Sequence, residues 1–357
     1  MYRTLIAATA AFSCLACGAV QSATKAGMKP ILTNGIDGFV SEPDEVIAEG
    51  ALLANMKLIE GVVATYPDDV ELLEMAAMAR ANYAFGFVQD ELEALRLAHP
   101  DRGDAAALLL WRLQQSYAAG RSYAERALAE RNGAWRDALK DTRLEDLSQE
   151  DFEAALDTLG EDEANALFWL AFTWGGAMQA YLDPSAATQA PKVEKAIFRV
   201  LALDEQVFYG VGPHMLAGVF FGFRAPAIGG DPVKAEEHLD LAQKAGDVLL
   251  PEVLKAQFVY AQTEAQEKFV ATLTRVIGAK PNPQRGLLEA LAKKRACRLL
   301  ANLDSYFLDD AKPVPDTCRR MPHKYRLRAE PLEPPEEEEE APAEAPAEPP
   351  PVDGDAT

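Results

Sequence analysis

Histidine is scarce in this chain of 357 residues: there are four, His99, His214, His238 and His323. None has a second histidine or a cysteine at metal-ligand spacing, which argues against a zinc site. No Gly-x-Ser-x-Gly elbow, no glycine-rich loop running into a lysine and no dinucleotide fingerprint occurs, so the common hydrolytic, nucleotide and hydride chemistries have no foothold. Positive charge is also short. Lys and Arg total 35 against 56 Asp and Glu, a formal net charge of −21, which repels phosphate and excludes nucleic acid as an expected partner. The acidic cluster Glu161-Asp162-Glu163 suits the first turn of a helix better than a general acid–base pair, because nothing apolar surrounds it to separate the two protonation states. No catalytic residue, metal or cofactor is expected. Long stretches of period-two alternation are missing as well, which excludes a sheet-based fold.

What is present is helix. Apolar residues make up 49% of the chain, with many Ala, Leu and Glu and few β-branched runs. Four segments carry small or apolar residues at a four-then-three spacing that keeps one helix face inward: Asn55/Ile59/Val62, Gly120/Ala124/Ala127, Val193/Ile197/Val200 and Ala235/Leu239/Ala242. Pro67 and Asp204 stand where helical hairpins turn, and Gly229-Gly230-Asp231-Pro232 supplies a turn, an N-cap and a first-turn proline in order. The pattern predicts an all-α fold, a compact array of degenerate tetratricopeptide-like hairpins. The intervals between triads are unequal and exceed the usual period of about 34 residues, so an open, regular solenoid is not expected. One insertion, residues 141–164, contains a capping-box-like start from Ser148 to Asp151.

The ends are different materials. Residues 1–16 read as a signal peptide, with Arg3 ahead of an apolar run from Leu5 to Leu15 that is too short to span a bilayer. Ala16 before Cys17 favours lipidation of Cys17, although Cys14 occupies a position where leucine is usual; ordinary secretion with cleavage near Ala19 or Ala23 is the alternative. Gly18 after the cysteine leans towards the outer membrane as the anchor site. Residues 17–40 form a tether, polar and small from Gly18 to Pro30. Residues 41–310 hold the helical domain, and residues 311–328 a basic extension with Arg319, Arg320, Lys324, Arg326 and Arg328. Residues 329–357 carry eleven acids, eight prolines and no base, a composition expected to stay disordered. In an oxidising periplasm Cys297 and Cys318 could bridge and pin the chain end to the last helix; two free thiols are the alternative.

Paired tryptophans in ALFWLAFTWGGAM (166–178), then PKVEKAI (191–197), then the Gly-Gly-Asp-Pro helix start resemble the T component of TRAP-associated transport, the TatT lipoproteins. ARANYAFGFVQDE (79–91) and KKRACRLLANLDSYF (293–307) resemble that family's first long hairpin and closing helix, so the likeness runs from about Glu42 to Phe307. It implies a periplasmic accessory protein, assembled as a homotrimer, that docks the TRAP substrate-binding P component. It also implies a small apolar ligand handed through a pore in each protomer. Glycines recur among the aromatics (Gly86, Gly175, Gly176, Gly218, Gly222), and the resemblance implies that part of this set leaves room for a ligand. Tyr83, Phe87, Trp174, His214 and Phe221 are the expected lining, and a leucine at Gly218 is expected to fill that space at little cost in stability. A cell-envelope scaffold with no small-molecule ligand, its aromatics close-packed, is the alternative.

Overall fold

Several helices begin at a residue whose side chain caps them. In the computed structural model, which describes residues 38–181 and 188–307 together with 27, 30–32, 35, 36, 315 and 318, Asp44 accepts hydrogen bonds from the amides of Val46 and Ile47 and starts α1 (Glu45–Thr65). The turn around Pro67 leads to Asp69, which caps α2 (Val70–Tyr83) through the Leu72 amide. A wide π-type turn (Ala84–Val88) joins α2 to α3 (Gln89–Ala98) without a break. Then come the long α4 (Gly103–Arg131), the short α5 (Gly133–Ala138), α6 (Gln149–Asp157) and α7 (Ala164–Tyr181). The second half holds α8 (Ala190–Leu203), α9 (Gly212–Gly222), α10 (Pro232–Gly246) and α11 (Leu250–Lys255). A second π-type turn (Ala256–Tyr260) extends α11, and α12 (Gln266–Gly278) and α13 (Gly286–Ala301) close the order. No strand occurs among the described residues, and the fold is all-α.

The turn read from Gly229-Gly230-Asp231-Pro232 is built as its residues dictate. Gly229 has φ +87°, which L side chains rarely adopt, and Asp231 accepts from the amides of Val233 and Lys234 ahead of Pro232. Ser148 likewise accepts from the Asp151 amide at 3.0 Å, but its own hydroxyl donates to the Asp151 carboxylate at 2.6 Å. Aspartate is one methylene shorter than glutamate, and it closes the cap through the side chain.

Neighbours in sequence pack as neighbours in space: α1 on α2, α2 on α4, α4 on α7, α7 on α8, α9 on α10 and α12 on α13. Every triad residue except half-buried Asn55 is buried. Helix α7 sits in the middle, touching α2, α4, α8 and α9, and from Ala166 to Gly175 it is buried without interruption. That is the consequence expected of a helix apolar on all sides.

The array closes on itself through charge. Asp90 on α3 is buried, accepts from Arg295 Nε at 2.9 Å and Arg298 Nη2 at 2.7 Å on α13, and pairs with Lys294 at 2.9 Å. Lys294 also reaches Glu45 on α1 at 2.6 Å. Burial alone would raise the Asp90 pKa, but the three cations outweigh it and hold the carboxyl well below the usual range. Cys297 and Cys318 are joined as a disulfide, Cα atoms 5.5 Å apart, fastening residue 318 to α13. Leu32 and Val40, inside the stretch read as a tether, are buried against the fold. Residues 1–16, Cys17, residues 319–328 and the acidic segment 329–357 lie outside the described residues.

Candidate functional site

Helix α7 presents two faces to two different spaces. Phe172, Gly175, Gly176 and Gln179 recur at three- and four-residue intervals, so they form one stripe. Opposite them α9 brings Met215, Leu216, Val219 and Phe220, with Phe223 just beyond its end. Phe85 from the first π-type turn, Tyr117 from α4 and Leu254 from α11 complete a narrow, partly enclosed slot whose free volume is about 30 Å³, room for a water or two, so a larger guest needs the lining side chains to move apart. Glycine at 175 and 176 is what leaves α7 low enough to form a wall.

The slot is almost wholly apolar. Phe85 meets Phe172 edge-on at 5.7 Å, and Phe220 meets Phe223 at 6.2 Å. Arg295 stacks on Phe85 at 4.7 Å, and Arg224 on Phe220 at 3.9 Å, so both rings are held by cations that do not themselves line the space. Its polar groups stand together: Tyr117 donates to Gln89 Oε1 at 2.8 Å, and Gln89 Nε2 donates to Gln179 Oε1 at 3.2 Å. An apolar chamber with a small hydrogen-bonding corner is the usual composition of a small-molecule pocket.

Beyond Tyr117 lies a broad open groove of about 610 Å³, lined among others by Gln114, Arg121, Ser122, Glu145, Thr173 and Ala177. It is more polar than the slot, although apolar surface still predominates, and its charged side chains balance. Arg121 binds Glu125 at 2.7 Å and Glu145 at 2.6 Å, and lies 4.5 Å over the Trp174 ring.

None of the five residues expected from the sequence lines the slot; each sits beside it on an element that does, or on its flank. Tyr83 and Phe87 stack on one another at 6.5 Å, while Phe85 between them faces the slot. Trp174 is buried edge-on to Phe152, its indole nitrogen donating to Gln189 Oε1 at 2.6 Å. It falls about 140° round α7 from Gln179 and about 160° from Gly176. His214 and Phe221 are seven residues apart on the α10-facing side of α9, where both meet His238. Nearness to glycine along the chain pointed to those residues, but nearness in sequence does not fix a helix face. The glycine pair was the better anchor, since helical spacing from Gly175 and Gly176 picks out Phe172 and Gln179. Tyr117 carried no local signal, because only the crossing of α4 over α7 brings it to the slot.

Gly218 also belongs to the α10-facing side. A Cβ there would lie 2.5 Å from Leu239 Cγ and 3.1 Å from the Ala235 carbonyl oxygen, so this glycine permits helix contact and leaves no void. The expectation that a leucine at 218 enters empty space is therefore corrected.

The histidines that lacked partners in sequence find each other in space. His214 Nδ1 and His238 Nδ1 are 2.9 Å apart with ring centroids at 5.2 Å, a separation that makes the two nitrogens point straight at one another. The pair shares one N–H as donor and acceptor and does not converge on a common point. Partial burial lowers both imidazole pKa values, and each is adjusted by its neighbours, Glu205 raising His214 and the charges of His214 and Lys234 lowering His238. Among the described residues no group of three or more His, Cys, Asp or Glu could hold a metal ion, and no helix is long and apolar enough to cross a membrane.

Comparison with known proteins gives one family. The model described as TRAP transporter T-component matches residues 41–307. No curated protein matches the chain.

Proposed function

Because the chain belongs to the TRAP transporter T-component family and is thus an accessory of a TRAP transport system, we propose that it binds an apolar ligand in the slot between α7 and α9 and hands it to or from a substrate-binding P protein docked outside. The slot's lining carries this reading: phenylalanines, aliphatic side chains and paired glycines on two facing helices, with polar atoms gathered at Tyr117 and Gln179. Burial of apolar surface, at about 25 cal/mol per Å², would drive uptake without a cofactor. The periplasm, with Cys17 as lipid anchor, is the proposed location, and the Cys297–Cys318 bridge suits an oxidising compartment.

A homotrimer is proposed on the exposed side of α1. Val46, Ile47, Leu53 and Leu58 all stand exposed there, and a Cβ at Gly50 among them or at Gly61 just beyond would meet nothing within 4 Å. Such a row of small and apolar residues suits contact with another protomer.

A scaffold that holds a peptide is the second reading, favoured by the width of the groove and the charged side chains beside Arg121. Titration with N-phenyl-1-naphthylamine separates the two. The carrier reading expects saturable fluorescence enhancement, weakened when Gly175→Ala narrows the slot, with the thermal midpoint nearly unchanged because a Cβ at 175 meets only ordinary contacts at 3.5 and 3.9 Å. Absence of saturable binding by the parent protein would remove the carrier reading.

A further inference from the structure

The slot and the groove share one lining side chain. Tyr117 lines both, and Thr173 and Ala177 face the groove from the same helix whose Phe172 and Gly176 face the slot. Its ring lies across Gly176 so closely that a Cβ at that position would stand 2.6 Å from Tyr117 Cζ and 2.8 Å from its oxygen. The ring is 1% exposed, and its phenol donates a hydrogen bond to Gln89 Oε1 at 2.8 Å. On its groove side stand Ala118 and Ala177, both small, before an open volume large enough to take a phenol.

We propose that Tyr117 is a door: swung towards the groove, it joins slot and groove into one passage, and its hydrogen bond to Gln89 is the latch. The proposal rests on the slot being the ligand site, and it names where ligand passes. Three features set the door's properties. Gly176 lets the ring seal flush against α7, since any larger residue would hold it off. Gln89 is itself held by Gln179, a slot residue, so a ligand that hydrogen-bonds Gln179 competes for the group that positions the latch. Groove and slot differ in polarity, so the passage suits an amphipathic molecule whose apolar part enters first. A closure of this kind governs rates of exchange more than affinity.

The test reads access to the slot directly and needs no ligand. Leu216→Cys places a thiol in the slot, and its reaction with a cationic methanethiosulfonate is followed by mass in the full chain, corrected for the parent. Tyr117→Phe removes the latch and keeps the ring; loss of one hydrogen bond is expected to raise the rate about two- to tenfold. Tyr117→Ala removes the door and is expected to raise it by roughly tenfold or more, latch and ring both being gone. Ala118→Trp, narrowing the groove, should then return the Tyr117→Ala rate towards the parent value. An unchanged rate in both Tyr117 variants overturns the door, as does a raised rate that Ala118→Trp leaves untouched. Should Tyr117→Ala fail to fold, Tyr117→Phe decides alone. If the parent takes up no apolar probe yet the thiol responds as expected, the door stands and the cargo reading falls; if the probe binds and the thiol does not respond, the reverse holds.

Discussion

His214 and His238 make one hydrogen bond that needs exactly one shared proton, and partial burial disfavours adding another. Their folded pKa values lie below the ordinary imidazole value of 6.5. The unfolded chain therefore takes up protons first as pH falls, so the pair's contribution is complete above 6.5 and is lost as pH drops through the depressed folded values. Thermal midpoints measured downward from pH 6.5 should fall, and His238→Gln, which cannot titrate, should flatten that decline. A parent and variant with the same slope would show that the pair does not govern acid sensitivity. Asp90 is the opposite case in charge but alike in sign. Its carboxyl is held well below 3.8 by cations, so what it contributes is lost only in stronger acid.

At the scale of elements, the α9–α10 contact is made by small residues meeting large ones. Gly218 accepts Leu239 into its surface, which a side chain at 218 would forbid. Gly218→Leu should cost about 1–3 kcal/mol by overpacking, measurable by chemical unfolding. Probe uptake by the folded fraction should survive, because position 218 faces away from the slot. Loss of binding without loss of stability would instead put that glycine in the ligand path.

The whole molecule depends on α13 returning to α1 and α3. Asp90→Ala would leave Arg295 and Arg298 buried beside no carboxylate of their own depth, and removing one partner of a buried pair costs about 3–5 kcal/mol. Denaturant midpoints should show a cost of that size, larger than for Glu153→Ala at the exposed Lys195 pair. Assembly belongs to this scale too. Leu53→Glu on the exposed face of α1 should convert a trimer to monomers in light scattering, with the helical content kept. A trimer that survives the change would locate the interface elsewhere.

Elements and their inward stripes were legible in the residues themselves, because helix period, caps and turns are local properties: the four triads, the Asp231 cap and the Ser148 start all form as their spacing predicts. Family membership was legible for the same reason, as landmarks in a fixed order along the chain. The site was half legible. Helix α7, the chain just before α3 and helix α9 carry both the aromatics expected to meet a ligand and the lining of the slot, but on different faces, since a helix apolar all round does not show which side meets a void. Only packing decides that. The crossing of α4 over α7 brought Tyr117 to Gly176, the meeting of α9 with α10 turned His214 and Phe221 away from the slot, and the closure of α13 on α3 gave Asp90 its three cations. Each joins residues far apart in the chain, and no local period encodes such a distance.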